Sequence, residues 1–117
     1  MKMGSRHIKL RIKEKNVLVV EANKKIVGYV VWGTLWNKIH IEDIFVEAEY
    51  RKRRLGTLLM GKAVETARKR GFKIAISDCG VGNIVSREFH MKNGFRDCGY
   101  IKKEWRNEDS YVFEKVL

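Results

Sequence analysis

Four apolar, β-rich segments fill the first 46 residues, and connections of only a few residues separate them. They are HIKLRIK, NVLVVEA, KIVGYVVWGTLW and KIHIEDIFVEA, with turns at Asn23-Lys24-Lys25 and at Asn37-Lys38. Connections this short join antiparallel neighbours and are too short for a crossover, so the segments should form a meander. The period then changes. Leu55, Leu58, Leu59, Ala63, Val64 and Ala67 recur at helical spacing, and Lys69-Arg70-Gly71 supplies cations and a stop. FKIAISDCGV reads as a strand, Asn83 as the cap of a second helix ending at Gly94, and FRDCGYIKKEW with SYVFEKVL as a closing strand pair. Within the second helix Val85 and Phe89 are expected to face inward. One strand–helix–strand crossover within a meander gives a mixed sheet with helices packed on it, an α+β architecture.

The length of 117 residues suits one domain spanning 1–117, and neither proline nor a low-complexity linker interrupts it. No apolar run is long enough to span a bilayer and no signal-peptide layout is present, so the expected location is cytoplasmic, with no membrane partner. Cys79 and Cys98 are too few and too far apart for a metal motif and read as small buried hydrophobes. Lys and Arg number 25 against 14 Asp and Glu. That surplus attracts anions such as nucleotides, nucleic acid, acidic proteins or anionic lipid.

Arg51-Lys52-Arg53-Arg54 concentrates this charge between a strand ending near Val46 and a helix beginning near Leu55. A helix start offers unpaired N–H groups and a positive dipole end, Gly56 permits close backbone approach, and the cations add attraction for a polyphosphate. The run alone also fits a solvated face or a nucleic-acid patch.

YRKRRLGTLLM and NIVSREFHMKNGF together resemble the GNAT superfamily of acetyl-CoA-dependent N-acetyltransferases. Arg51 to Gly56 matches the family's pyrophosphate loop, Arg/Gln-x-x-Gly-x-Gly/Ala. Asn83 to Phe95 matches its Asn-x-x-Ser-x-x-Phe-Tyr-x-Lys-x-Gly-Phe helix, and IEDIFV is similar to the strand before the loop in the polyamine and aminoglycoside branches. The resemblance implies a GNAT-like mixed, mostly antiparallel sheet with two main helices and a central parallel strand pair. It also implies acetyl-CoA as co-substrate, an amine acceptor, and no metal. Backbone groups of Ile44, Phe45 and Val46 would pair with the pantetheine arm. N–H groups of Arg51, Lys52, Arg53, Arg54, Leu55, Gly56 and Thr57 would cradle the pyrophosphate, and Asn83 would hydrogen-bond the pantetheine.

Three departures stand out. Arg54 replaces the loop's first glycine, His90 replaces the tyrosine of the second helix, and the short segment ahead of NVLVVEA is expected to lack the family's two N-terminal helices. The absent helices would leave one acceptor wall open, so a homodimer is expected, with HIKLRIK and SYVFEKVL as edge strands available for pairing.

Strict alternation along Ile39 to Val46 puts His40, Glu42, Ile44 and Val46 on one face and Asp43 on the other. By resemblance Glu42 takes the place of the polyamine branch's general base. His90 takes that of the tyrosine acid, so the two are expected to flank the thioester as base and acid. A histidine titrating near pH 6.5 could act as imidazolium or as base. Core packing is the expected role of Trp32, Trp36 and Trp105, and Cys79 is not the expected nucleophile. The long-range field disfavours free polycations as acceptors. Two rival readings remain: a non-enzymatic nucleic-acid module, against which the absence of a nucleic-acid motif counts, and a coenzyme A-binding fold with little transferase activity.

Overall fold

The computed structural model describes residues 8–51, 53–105 and 108–117, with residues 103–105 described by backbone alone. Strands β1 (Ile8–Glu14), β2 (Val17–Ala22), β3 (Lys25–Leu35) and β4 (Lys38–Val46) lead through a 3-10 turn (Ala48–Tyr50) into helix α1 (Leu55–Lys69). Strand β5 (Ile74–Gly80), helix α2 (Ile84–Lys92) and strands β6 (Arg96–Trp105) and β7 (Glu108–Val116) follow. The sheet order is β1-β2-β3-β4-β5-β7-β6. Only β4 and β5 pair in parallel; every other neighbouring pair is antiparallel. This is the mixed sheet expected from the order of elements, with the central parallel pair that the family resemblance implies. Among the described residues no α-helix precedes α1, and no helix is long and apolar enough to cross a membrane.

The turns follow residue chemistry. Asn23 and Lys24 both adopt left-handed backbone, with φ of 54° and 67°, which matches the twist of a two-residue hairpin. The next turn falls one residue earlier than expected, on Trp36 (φ 56°) and Asn37, because β4 already begins at Lys38. Gly71 and Gly94 stop the two helices at φ of 93° and 88°, conformations that a Cβ disfavours.

Leu55, Leu59, Met60, Ala63, Val64 and Ala67 form the buried stripe of α1. They pack on Val20, Val30, Trp32, Ile39 and Ile41 of the sheet. Each buried Leu or Met in such a stripe contributes roughly 1.5–3 kcal/mol of transfer free energy. A Cβ built on Gly56 would stand 3.1 Å from the Phe89 ring, so the start of α1 meets α2 at this point.

Several expectations are corrected. Val85 is 79% exposed; the inward residues of α2 include His90 and, partly, Ser86, Phe89 and Met91. A short helix capped at Asn83 presents Ser86 and His90 one turn apart, and Val85 then falls on the other side. Trp32 is buried at 2% exposure, but Trp36 is 85% exposed in its turn. The side chain of Trp105 lies outside the described residues. The C-terminal strand is not an edge: β7 sits between β5 and β6, and the edges are β1 and β6. Buried Ser110 and Phe113 give β7 an interior character, while the charged residues Arg96, Asp97 and Lys102 suit β6 to an edge.

The register of β4 also differs from simple alternation. Val31 pairs with Asp43 but Trp32 with Ile41, so one extra residue, Glu42, bulges from β4. The bulge reverses the facing of the strand. Ile39 and Ile41 share the core with Ile44 and Val46, so Glu42 is not on one continuous face with Ile44 and Val46.

Candidate active site between two parting strands

β4 and β5 pair only through Ile39 with Ala75 and His40 with Ile76. Beyond these pairs they diverge, while β3 holds the outer side of β4 and β7 holds the outer side of β5 along their lengths. A bulge bends and twists its strand, and the Glu42 bulge lies where the two strands part. The result is a cleft of about 480 Å³ between Ile41–Ile44 on one wall and Ser77–Gly80 on the other. Asn83, Ser86 and His90 of α2 and Glu108 and Ser110 of β7 complete the lining. Glu42, Ile44, Asn83 and His90, singled out in the sequence, thus meet in one cavity.

Two other candidates on β4 lie elsewhere. Val46 is buried in the core. Phe45 is partly exposed on the opposite face, with its ring 5.8 Å from that of Tyr29 and beneath the Arg51 guanidinium. Glu42 is exposed, and its carboxylate lies against Gly33, where a Cβ would overlap it. Asp43 accepts a hydrogen bond from Tyr29 Oη at 2.9 Å, which raises the tyrosine pKa. Asp43 is therefore held by a neighbour, in keeping with a structural part. Asp78 and Glu108 bring further carboxylates to the cleft, and Glu108 accepts from the backbone N–H of Gly82 at 3.1 Å.

His90 is 2% exposed, its ring stacked on Phe113 at 4.6 Å and edge-on to Phe95 at 5.4 Å. Nδ1 lies 2.8 Å from the Ser86 carbonyl oxygen. A carbonyl only accepts, so the chemistry assigns the ring proton to Nδ1. Nε2 is then bare and accepts from Ser77 Oγ at 2.7 Å. Burial lowers the His90 pKa below 6.5, and the Ser86 carbonyl only partly opposes this. Ser77 was not among the sequence candidates. Its one local signal is a hydroxyl on the inward side of a strand that begins apolar, two residues after buried Ala75. Cys79, also in the lining, has its thiol pKa raised by burial and so is a poor nucleophile.

The basic turn is folded closely onto the end of β4. Arg51 Nε donates to the Val46 carbonyl oxygen at 2.8 Å, and its guanidinium carbon lies 5.7 Å from the Phe45 ring centroid. Arg53 stacks over Tyr50 at 5.0 Å. Arg54, in the place of the family's glycine, adopts φ 61° and ψ 20° as the N-cap of α1, and its own side chain makes no capping hydrogen bond. Leu55 is buried and anchors the helix start, Thr57 is exposed, and Lys52 lies outside the described residues. An uncapped helix start beside exposed arginines can hold an anion. At α2 the opposite holds: Asn83 Oδ1 accepts from Ser86 N at 3.0 Å and closes the cap.

Residues 4–95 match the acetyltransferase (GNAT) family. The chain is 35% identical over 96 residues to an uncharacterised N-acetyltransferase of Methanocaldococcus jannaschii, covering 76% of this chain and 42% of that protein. It spans about half the length of the curated relatives it matches, between 42% and 64%. A ribosomal-protein-alanine N-acetyltransferase from Brucella melitensis superposes with a TM-score of 0.78 at 27% identity, over 86% of this chain and 68% of that one. A GNAT family acetyltransferase from Elizabethkingia anophelis, with acetyl-CoA bound, shares the fold with a TM-score of 0.78 at 19% identity, over 86% of this chain and 75% of that one. By its sequence match and by its parted parallel strands, the chain belongs to the acetyltransferase (GNAT) family.

Proposed function

We propose that this protein transfers an acetyl group from acetyl-CoA to a primary amine. The observation that carries this reading is the parting of β4 and β5 after two residue pairs, beside the uncapped start of α1. The edges that part have no strand partner in the cleft and offer backbone groups to a pantetheine arm along Ile44, Phe45 and Val46. The N–H groups from Arg51 to Thr57 then take the pyrophosphate, with the exposed arginines adding charge. Asn83 spends its Oδ1 on the helix cap, so a hydrogen bond from its side chain to the pantetheine comes from the amide NH₂. Glu42, exposed at the bulge, takes the proton of the incoming ammonium. The carboxylates of Glu42, Asp78 and Glu108 line the cleft, so the local field favours a cationic acceptor despite the net positive charge.

The seven strands share one sheet, which supports treating residues 1–117 as one transferase-like domain. The free thiols of Cys79 and Cys98 suit a reducing, cytoplasmic compartment. The homodimer belongs to the same proposal, with β1 and β6 as its contact strands, since Ile12, Tyr100 and Ile101 are exposed on them. Light scattering that stays at monomer mass across micromolar concentrations removes the dimer.

Calorimetry with acetyl-CoA, followed by release of the coenzyme A thiol over an amine panel, tests the main reading. Binding together with amine-dependent thiol release is the expected result. Failure to bind acetyl-CoA overturns it.

A further inference from the structure

His90 occupies the place of the family's tyrosine, yet its ring is almost wholly buried and its Nδ1–H is committed to the Ser86 carbonyl. The polar atom it turns toward the cleft wall, Nε2, faces the Ser77 hydroxyl at 2.7 Å. Ser77 itself lines the cleft. A hydroxyl in contact with a bare imidazole nitrogen, with the imidazole oriented by a third group, is the arrangement by which a serine gains or loses a proton readily. We propose that the Ser77 hydroxyl is the group that exchanges protons with the reacting atoms, and that His90 serves it from behind as a buried base. The inference rests on the acetyl-transfer reading and assigns a residue that neither the loop nor the helix pattern contains.

The proton balance closes without another reactant. Once Glu42 has taken the ammonium's first proton, the neutral amine nitrogen forms its bond to the acetyl carbon. As that bond forms, Ser77 Oγ accepts a second proton from the nitrogen and passes its own to His90 Nε2. The imidazolium so formed still donates Nδ1–H to the Ser86 carbonyl. As the carbon–sulfur bond breaks, the sulfur leaves with the electron pair, and the proton on Nε2 returns through Ser77 Oγ to it. The products are the amide and the coenzyme A thiol, and Glu42 releases its proton to solvent. His90 acts through Ser77 and is a positioning residue.

The surroundings favour a neutral ring that can accept. Phe89, Phe95 and Phe113 contact it as rings, Ser77 and Ser86 as polar partners, and the charged groups of the cleft are Glu42, Asp43, Asp78 and Glu108. Burial keeps the imidazole neutral below the usual histidine range.

The test compares wild type, Ser77→Ala and Ser77→Thr, with spermidine, lysine amide and an alanine-initiated peptide as acceptors across pH. Acetyl-CoA affinity is measured in parallel by calorimetry. Ser77→Ala should keep acetyl-CoA affinity and lose about 10²-fold in kcat, and its rate should no longer fall on the acid side with His90 protonation. Ser77→Thr, which retains the hydroxyl, should recover most of the rate. Equal kcat and pH profile in Ser77→Ala and wild type overturn the shuttle while leaving acetyl transfer standing. Absence of acetyl-CoA binding by the wild type overturns the transfer reading, and the shuttle with it. Should Ser77→Ala fail to fold, ¹⁵N NMR of the wild-type histidines decides: a proton on Nδ1 and a bare Nε2 support the shuttle, and the opposite tautomer overturns it.

Discussion

Gly33 and Glu42 lie so close across the β3–β4 bulge that any Cβ on Gly33 would overlap the Glu42 carboxylate. The glycine thus keeps open the space in which that carboxylate rests. A carboxylate at the end of a flexible side chain can move aside, so Gly33→Ala should fold with nearly normal stability while re-aiming Glu42. We expect kcat in Gly33→Ala to fall by about 10-fold or more, toward the loss in Glu42→Gln. The double variant should be no worse than Glu42→Gln alone, because both changes remove one function. Additive losses in steady-state assays would separate Gly33 from Glu42.

Arg54 holds a left-handed backbone conformation at the head of α1. An L residue with a Cβ is strained there by about 1–2 kcal/mol, part of which glycine returns to the unfolded chain as entropy. Arg54→Gly should therefore raise stability by about 0.5–1 kcal/mol in urea denaturation. The same change should weaken acetyl-CoA binding in calorimetry, since a guanidinium near the phosphates is lost. Stability and affinity moving in opposite directions is the expected signature.

Gly56 faces Phe89, with a built Cβ only 3.1 Å from that ring. Gly56→Val should force α1 and α2 apart and cost about 1–3 kcal/mol, in addition to any effect on phosphate approach. Trimming the opposing ring separates the two effects. If Gly56→Ala with Phe89→Leu regains stability but not acetyl-CoA affinity, the glycine serves ligand approach as well as helix packing.

Burial depresses the His90 pKa, which gives stability a definite pH dependence. The unfolded chain takes up the proton near pH 6.5 and the folded chain only at lower pH, so the unfolded state binds more protons in that interval. Stability is thus fully present above about pH 6.5 and falls as pH drops from there toward the folded pKa, by at most about 1.4 kcal/mol per pH unit from this group. Thermal melts taken from about pH 8 to about pH 5 should show the decline setting in below about pH 6.5. His90→Phe should flatten it.

Much of the fold is legible in the sequence because its signals are local. Alternating residues with short turns specify the meander, the 3.6 period from Leu55 specifies α1, and Asn83 three residues before Ser86 specifies the cap of α2. These depend on neighbours a few residues apart, and the family motifs are short enough to be read with them. The bulge at Glu42 is different. It arises from how β4 meets β3, and one unpaired residue reverses the facing of the rest of the strand while its composition stays the same. The interior place of β7, the contact of Gly56 with Phe89 and the hydrogen bond from Ser77 to His90 likewise join residues far apart in the chain. Periodicity tells which side of an element turns inward, but not which residue it meets there. That was decided only when the sheet closed over both helices, so the chain alone could place His90 in the site but could not show that its Nε2 meets Ser77 there.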